Sequence, residues 1–320
     1  MKNILLVMFI MHFILAQYII PQDGSNAGAF LRRGLDSRAL ALGGAYTSVS
    51  DDVSSIYWNP AGLNGIQHHS FNMMFSSLSL DRSEMFFGYG LTIKNVISIG
   101  IGVYKYGVTD IPYYGFGEIN NGSFYEDAEY NFMVAAAKEF YYTRNIRFSI
   151  GVTTKYISHT LEDYSASTFS FDFGVLATIN EMYRFGFVWQ DMFAPNMTWN
   201  RMYKDSTSVD NVDDKVPSVI RIGGSVYPSL AFPFVVSLDL SFFDSKSDIK
   251  IGTGIRLIEN FGVRAGVIFQ NDGGDEKNIL PTFGFFVWYQ LDNIEMQFDY
   301  AGKQDRISGF AQYFTLAIRL

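Results

Sequence analysis

Few residues of this chain could do chemistry on their own. Beyond the first sixteen positions the histidines are His68, His69 and His159. The adjacent pair falls at the start of a predicted strand, where successive side chains point to opposite faces, so the two rings cannot share a metal ion. His159 stands near Glu162 and Asp163 at a predicted loop. A hydrolytic site there would need a nucleophile beside it, and the pattern reads as an ordinary loop histidine. Cysteine is absent, which excludes a disulfide scaffold and a thiolate-bound metal. Gly100-Ile101-Gly102 and Gly252-Thr253-Gly254 lie inside predicted strands rather than at strand-to-helix turns, so neither is a phosphate cradle. Glycines so placed allow strand bending or close approach of another backbone. The expectation is a protein without catalytic residues, metal or cofactor.

The charged residues instead follow a geometric rule. In 145–156, Ile146, Phe148, Ile150, Val152 and Tyr156 alternate with Arg147, Ser149, Gly151, Thr153 and Lys155. In 169–179, Phe169, Phe171, Phe173, Val175 and Ile179 oppose Ser170, Asp172, Gly174 and Thr178. The same period of two recurs in 249–257, 294–300 and 310–320. Large apolar residues on one face, with charge and glycine on the other, suit strands with lipid outside and a polar lumen inside. On this reading Arg147, Lys155, Asp172, Arg221, Lys250, Arg256, Arg264, Glu295, Asp299 and Arg319 face inward, basic residues outnumbering acidic ones.

Fourteen such segments can be counted: 68–79, 81–93, 95–108, 124–139, 145–159, 166–179, 182–190, 217–228, 231–243, 247–258, 260–270, 278–290, 292–301 and 308–320. After the first connection, short and longer connections alternate, with 109–123 and 191–216 the longest. Outer-membrane barrels have this asymmetry, with short periplasmic turns and longer extracellular loops. The predicted fold class is therefore all-β: a 14-stranded antiparallel transmembrane β-barrel over 67–320.

Composition agrees. Aromatics make up 17% of the 320 residues, and charged residues 18% against a usual ~25%. A net charge of −8 without any basic run excludes nucleic acid as a partner. No stretch after the N-terminus approaches the ~18 apolar residues of a membrane-spanning helix. Lys2, the apolar run Ile4–Leu15 and the small Ala16 read as a signal peptide over 1–16, which implies export to a bacterial envelope.

Residues 17–66 break the alternation. Asp51 or Asp52 is placed to cap a short helix through 53–57, and Pro60 forces Asn59 out of the helical region. Leu40, Leu42, Tyr46, Ile56, Trp58 and Leu63 are too apolar for a linker, so the segment is expected to fold into the lumen as a hatch. Asp51 and Asp52 then either pair with lumen cations or simply cap the helix.

The text Arg38–Leu63, "RALALGGAYTSVSDDVSSIYWNPAGL", resembles the N-terminal signature of the PorV/PorQ family of outer-membrane barrels. That family is itself similar to the FadL long-chain fatty-acid transporters, whose hatch carries a related Asn-Pro-Ala element. "VPSVIRIGGSVYP", "FGVRAGVIFQNDGG" and the ending "MQFDYAG…GFAQYFTLAIRL" are similar to PorV-type proteins too. The resemblance implies a 14-stranded barrel with a hatch motif at Asp51, Asp52, Trp58, Asn59, Pro60, Ala61 and Gly62. It also implies a role in type IX protein secretion, with secreted cargo and secretion-machinery proteins as partners besides outer-membrane lipid. Docking would fall on the two long loops, chiefly on Trp199, Met202 and Tyr203, which stand among Asp205, Asp210, Asp213 and Asp214. The alternative is a FadL-like channel for hydrophobic small molecules, which predicts an apolar pocket beside the hatch and a lateral gap in the wall. A soluble β-protein would leave the outer aromatic band unexplained.

Overall fold

The computed structural model describes residues 27–93, 96–113, 124–143, 145–201, 213–228, 233–243, 246–271, 277–305 and 309–320. Fourteen long strands follow one another in chain order. They are β1 (His69–Ser77), β2 (Arg82–Ile93), β3 (Ile97–Pro112), β4 (Phe124–Thr143), β5 (Ile146–Leu161), β6 (Tyr164–Ile179) and β7 (Tyr183–Met192), then β8 (Val219–Val226), β9 (Phe234–Phe243), β10 (Lys246–Ile258), β11 (Phe261–Asn271), β12 (Lys277–Leu291), β13 (Ile294–Asp305) and β14 (Gly309–Arg319). Every sequence neighbour pairs antiparallel, and β14 returns to β1 in the register Phe75↔Phe314, closing the ring. Closure leaves no edge, which is what a sheet in hydrocarbon requires. No helix among the described residues is long and apolar enough to cross a membrane.

The two faces of the wall sort as alternation demands. Phe169, Phe171, Ile249, Ile251 and Phe314 are exposed on the outside, while Lys155, Asp172, Arg221, Lys250, Arg264 and Asp299 are buried within. This outer apolar surface faces lipid.

The alternation of connection lengths is weaker than expected. The connection at 162–163 is a two-residue turn, not a moderate loop, because β5 and β6 each run further than their apolar pattern. On the opposite rim β8 ends at Val226 and β9 begins at Phe234, so that connection spans 227–233. Pro228 and Pro233 cannot donate to a ladder, which ends pairing early. The rim bearing Leu320 is called the turn rim below, and the opposite one the loop rim.

Wall height is uneven. β3 to β6 hold 16 to 20 residues each, whereas β7, β8 and β9 hold 10, 8 and 10. Residues 27–66 contain no strand and sit inside the ring. They form two helices, α1 (Ser37–Ala41) and α2 (Ser55–Trp58), and two 3-10 turns, Ala29–Arg32 and Pro60–Gly65. One helix was expected and two are present. Asp36 starts the extra one, its side chain accepting from the Arg38 N–H at 2.8 Å. Pro60 opens a second turn as well as closing the first, since a proline at the first helical position loses no hydrogen bond.

Candidate functional site

The lumen is filled by residues 27–66, called the plug below. The wall admits its backbone because glycine stands where contact is closest. A Cβ on Gly252 would lie 2.5 Å from Leu42 O, and one on Gly151 would lie 2.5 Å from Ala61 N. The sequence marked such glycines for close packing, and the partner is the plug.

The Asn59-Pro60 element is a structural joint. Asn59 donates through Nδ2 to Thr47 O at 2.8 Å and to Val175 O of β6 at 3.1 Å, and its Oδ1 accepts from Ala61 N. Ala61 is fully buried. Gly62 lies under Ser50, where a Cβ would come 2.7 Å from the serine Cβ. Trp58 donates to Leu35 O at 2.9 Å, and its ring lies 5.0 Å from the Arg221 guanidinium of β8.

Neither aspartate caps α2 as expected: its N-cap is Ser54, with no side-chain cap bond. Asp52 accepts from Ser54 N at 2.9 Å and from Tyr46 OH at 2.8 Å, bracing the approach to α2. Asp51 bridges Arg38 of the plug at 2.7 Å and Arg184 of β7 at 3.1 Å. Burial pulls the Asp51 carboxyl upward, but the adjacent Arg38 and Arg184 charges outweigh it and hold the group well below the carboxylate range. Asp36 behaves oppositely. Burial, reinforced by the Asp52 and Asp299 charges, pushes it up to about 7.

Arg184 was missing from the expected lumen cations, although Phe185 and Phe187 point outward beside it and alternation would have placed it inside. Glu84 and Asp239 were missed for the same reason, whereas Asp191 comes inward only through an irregularity of β7. Arg33 of the plug pairs with Glu84. Asp239 of β9 accepts from the plug N–H groups of Tyr46 and Thr47 at 2.9 and 2.8 Å. Lys155 lies between Asp172 at 2.9 Å and Asp191 at 3.0 Å. Arg264 pairs with Asp299, and Arg319 with Glu295. The basic excess expected in the lumen is thus largely matched by carboxylates.

Toward the loop rim the plug ends in an aromatic pocket. Phe30, 2% exposed, stacks on Tyr104 and Tyr106 of β3 at centroid distances of 5.4 and 6.4 Å. Met133, Ile157, Met197 and Val216 belong to the same apolar cluster. Toward the turn rim a cavity of about 1230 Å³ opens beneath the plug, lined by Asp51, Arg184, Arg256, Phe286 and Trp288 among others.

The wall is irregular near that pocket. Phe171 pairs with Met192, but Phe173 pairs with Trp189, so two residues of β7 oppose one of β6. Asp191 takes a left-handed φ of 53°, and its N–H donates to the Asp172 carboxylate at 2.9 Å instead of to the ladder. Gln190 turns inward to the Tyr57 carbonyl. Above Met192, β6 is covered by the segment 193–201, with Thr168 donating to Pro195 O at 2.9 Å.

The remaining candidates separate. Trp199 is half-buried, edge-on to His159 at 4.8 Å; Met202 and Tyr203 lie outside the described residues, as do Asp205 and Asp210. His159 belongs to β5, and its partner is Asp127 of β4 at 2.7 Å rather than Glu162 or Asp163. His69 meets Tyr89 at 2.7 Å, while His68 lines the turn-rim cavity.

A closed 14-stranded antiparallel barrel with its lumen filled by an N-terminal segment is the fold of the FadL-like outer-membrane barrels. CymD, a monoaromatic hydrocarbon channel, superposes with a TM-score of 0.58 at 10% identity, over 89% of this chain and 96% of its own. The Pseudomonas putida toluene transporter TodX superposes with a TM-score of 0.56 at 11% identity, over 89% and 97%. A Pseudomonas aeruginosa FadL homologue covers 94% of this chain and 98% of its own, with a TM-score of 0.55 at 10% identity. At such identities the likeness concerns the fold. No protein-family model matches the sequence, and no curated protein matches it.

Proposed function

We propose that the protein is a non-enzymatic outer-membrane channel for hydrophobic small molecules, exported through a signal peptide at 1–16 and plugged by its own residues 17–66. The observation that carries this reading is Phe30, an aromatic ring of the plug stacked on Tyr104 and Tyr106 among apolar lumen residues. A pocket that accepts one benzene ring has the shape and surface for a monoaromatic ligand. Two of the superposed proteins are a monoaromatic hydrocarbon channel and a toluene transporter, which supports the same ligand class. The interrupted β6–β7 ladder beside the pocket matches the weakened wall that a lateral route would use.

The protein-secretion reading rests on the PorV/PorQ-like hatch motif. Trp199 is half-buried, edge-on to His159 and packed against the apolar cluster.

The test is toluene binding and uptake. Phe30→Ala leaves a dry apolar cavity of the kind that takes up benzene. The purified variant should bind toluene more tightly than the wild-type protein. Vesicles carrying the wild-type protein should take toluene up faster than empty ones. Toluene binding by neither form, together with co-purification of proteins bearing a C-terminal β-domain, would favour secretion instead.

A further inference from the structure

One polar side chain beside the Phe30 pocket has no partner. Asn131 stands on the inner face of β4, opposite Tyr104 of β3 and Ile157 of β5. It is 0% exposed, as are both of those neighbours. Its Nδ2 and its Oδ1 both lack a hydrogen-bond partner among the described residues. The register row continues to Phe86 of β2 on one side and to Thr168 of β6 on the other. The two hydroxyls in that row are already engaged: Tyr104 donates to Glu84 at 3.1 Å, and Thr168 to Pro195 O at 2.9 Å. A buried amide without a partner costs free energy at both of its ends, and native interiors seldom leave one so.

The amide lies beside the place that Phe30 fills. Phe30 stacks on Tyr104, and β4 is the next strand, one spacing of about 4.8 Å away. A hydrocarbon in place of Phe30 would leave the amide as unsatisfied as it is now. A ring with one hydroxyl at its edge would satisfy it. A hydroxyl both donates and accepts, so it meets the amide whichever way round the side chain is turned. A carboxylate fits worse. Glu129 follows Asn131 on the same face of β4, opposite Tyr106 and His159. The nearby cations are already paired, Lys155 with Asp172 and Asp191, and Arg33 with Glu84.

We propose that the pocket takes a phenol, a single aromatic ring bearing one uncharged hydroxyl, and that Asn131 is the residue that recognises the hydroxyl. The inference rests on the hydrophobic-channel reading above and narrows its ligand class. The ring of the ligand takes the place of Phe30 on Tyr104, and its hydroxyl turns toward β4. The competing occupant of the amide is a buried water molecule. Selectivity separates the two: a site with a dedicated hydrogen-bonding group discriminates against the analogue that leaves the group unpaired.

The experiment measures p-cresol and toluene binding to the full chain in detergent, in the Phe30→Ala background, by calorimetry. The two ligands differ by one hydroxyl, so the ratio of their affinities isolates the contact. Adding Asn131→Leu should lower the p-cresol-to-toluene ratio by about tenfold or more, because the hydroxyl then enters without a partner. Asn131→Val should do the same, and toluene affinity should hold or rise in both. Each replacement removes an unpartnered polar group, so the barrel should melt no lower than its parent. Crystals soaked in p-cresol should show the hydroxyl within hydrogen-bond distance of Asn131. An unchanged ratio in both variants while toluene still binds would overturn this inference alone and leave the hydrocarbon pocket standing, as would a water on the amide with p-cresol bound elsewhere. Binding of neither ligand to any form would overturn the inference and the channel reading together.

Discussion

Gly252 to alanine is the smallest change that sets the wall against the plug. Gly252 pairs with Gly266 across β10 and β11, and both abut the plug backbone at Leu42-Gly43. An alanine Cβ at 252 would stand 2.5 Å from Leu42 O, 2.8 Å from Leu42 Cβ and 2.9 Å from Ser237 Oγ. The two Leu42 atoms are not the far end of a flexible side chain, so the plug itself must lift. Overpacking of this kind costs about 1–3 kcal/mol, and the better strand propensity of alanine offsets about 0.5–1 kcal/mol of it. The net is about 0–2.5 kcal/mol, centred on about 1.3 kcal/mol, and each 1.4 kcal/mol is a tenfold change in population. Protection of the Tyr46 and Thr47 amides, which are bonded to Asp239, should therefore fall about tenfold in hydrogen exchange by mass spectrometry, with barrel peptides unchanged. Gly224→Ala is the control. It points outward, and its nearest neighbour is Phe185 Cδ1 at 3.8 Å, so plug protection should stay at the wild-type value. Wild-type exchange of the plug in Gly252→Ala would refute the idea that the wall glycines exist to admit it.

Two further outcomes follow from the plug carboxylates. Asp36, raised to about 7 in the fold, keeps its proton through a range where the unfolded chain has lost it, so plug stability should fall as pH rises from about 4 to about 7 and level off above; Asp36→Asn should flatten that slope in pH-dependent proteolysis of the plug, and parallel slopes would contradict it. The Asp51–Arg184 pair is partly solvated, so a double-mutant cycle of Asp51→Asn with Arg184→Met should give a coupling below about 1 kcal/mol that shrinks with added salt; a larger, salt-insensitive coupling would contradict the exposure assigned to it.

The barrel was legible because alternation is a local property. Phe171-Asp172-Phe173 states its two faces without any partner strand, and fourteen such segments leave one closed solution. What blurred was length: β5 and β6 pair through residues such as His159 and Ser165, whose types carry no apolar signal above the membrane. The plug was legible as a non-strand with a short helix before Pro60, but the Asp36-capped helix and the plug's anchors were not. Asp239 serves the Tyr46 and Thr47 amides across 192 residues or more of sequence, and no local pattern encodes that distance. Arg184 lay within reach of the same alternation that found Lys155. The contact of Trp199 with the His159 ring carried no sequence signal, because two aromatic residues forty positions apart give no sign of meeting.

The ring is sealed between the strand that follows the plug and the last strand of the chain, with Ser70 opposite Arg319. A wall that approaches the Leu42, Thr47 and Pro60 backbone closely enough to exclude a methyl group leaves little clearance, among the described residues, for a folded plug to be pushed in later. Assembly is therefore constrained in order: the stopper has to be seated while the vessel is still an open sheet, and the final hairpin draws the wall shut around it. An early break in synthesis yields a sheet that can hold neither the seal nor its contents.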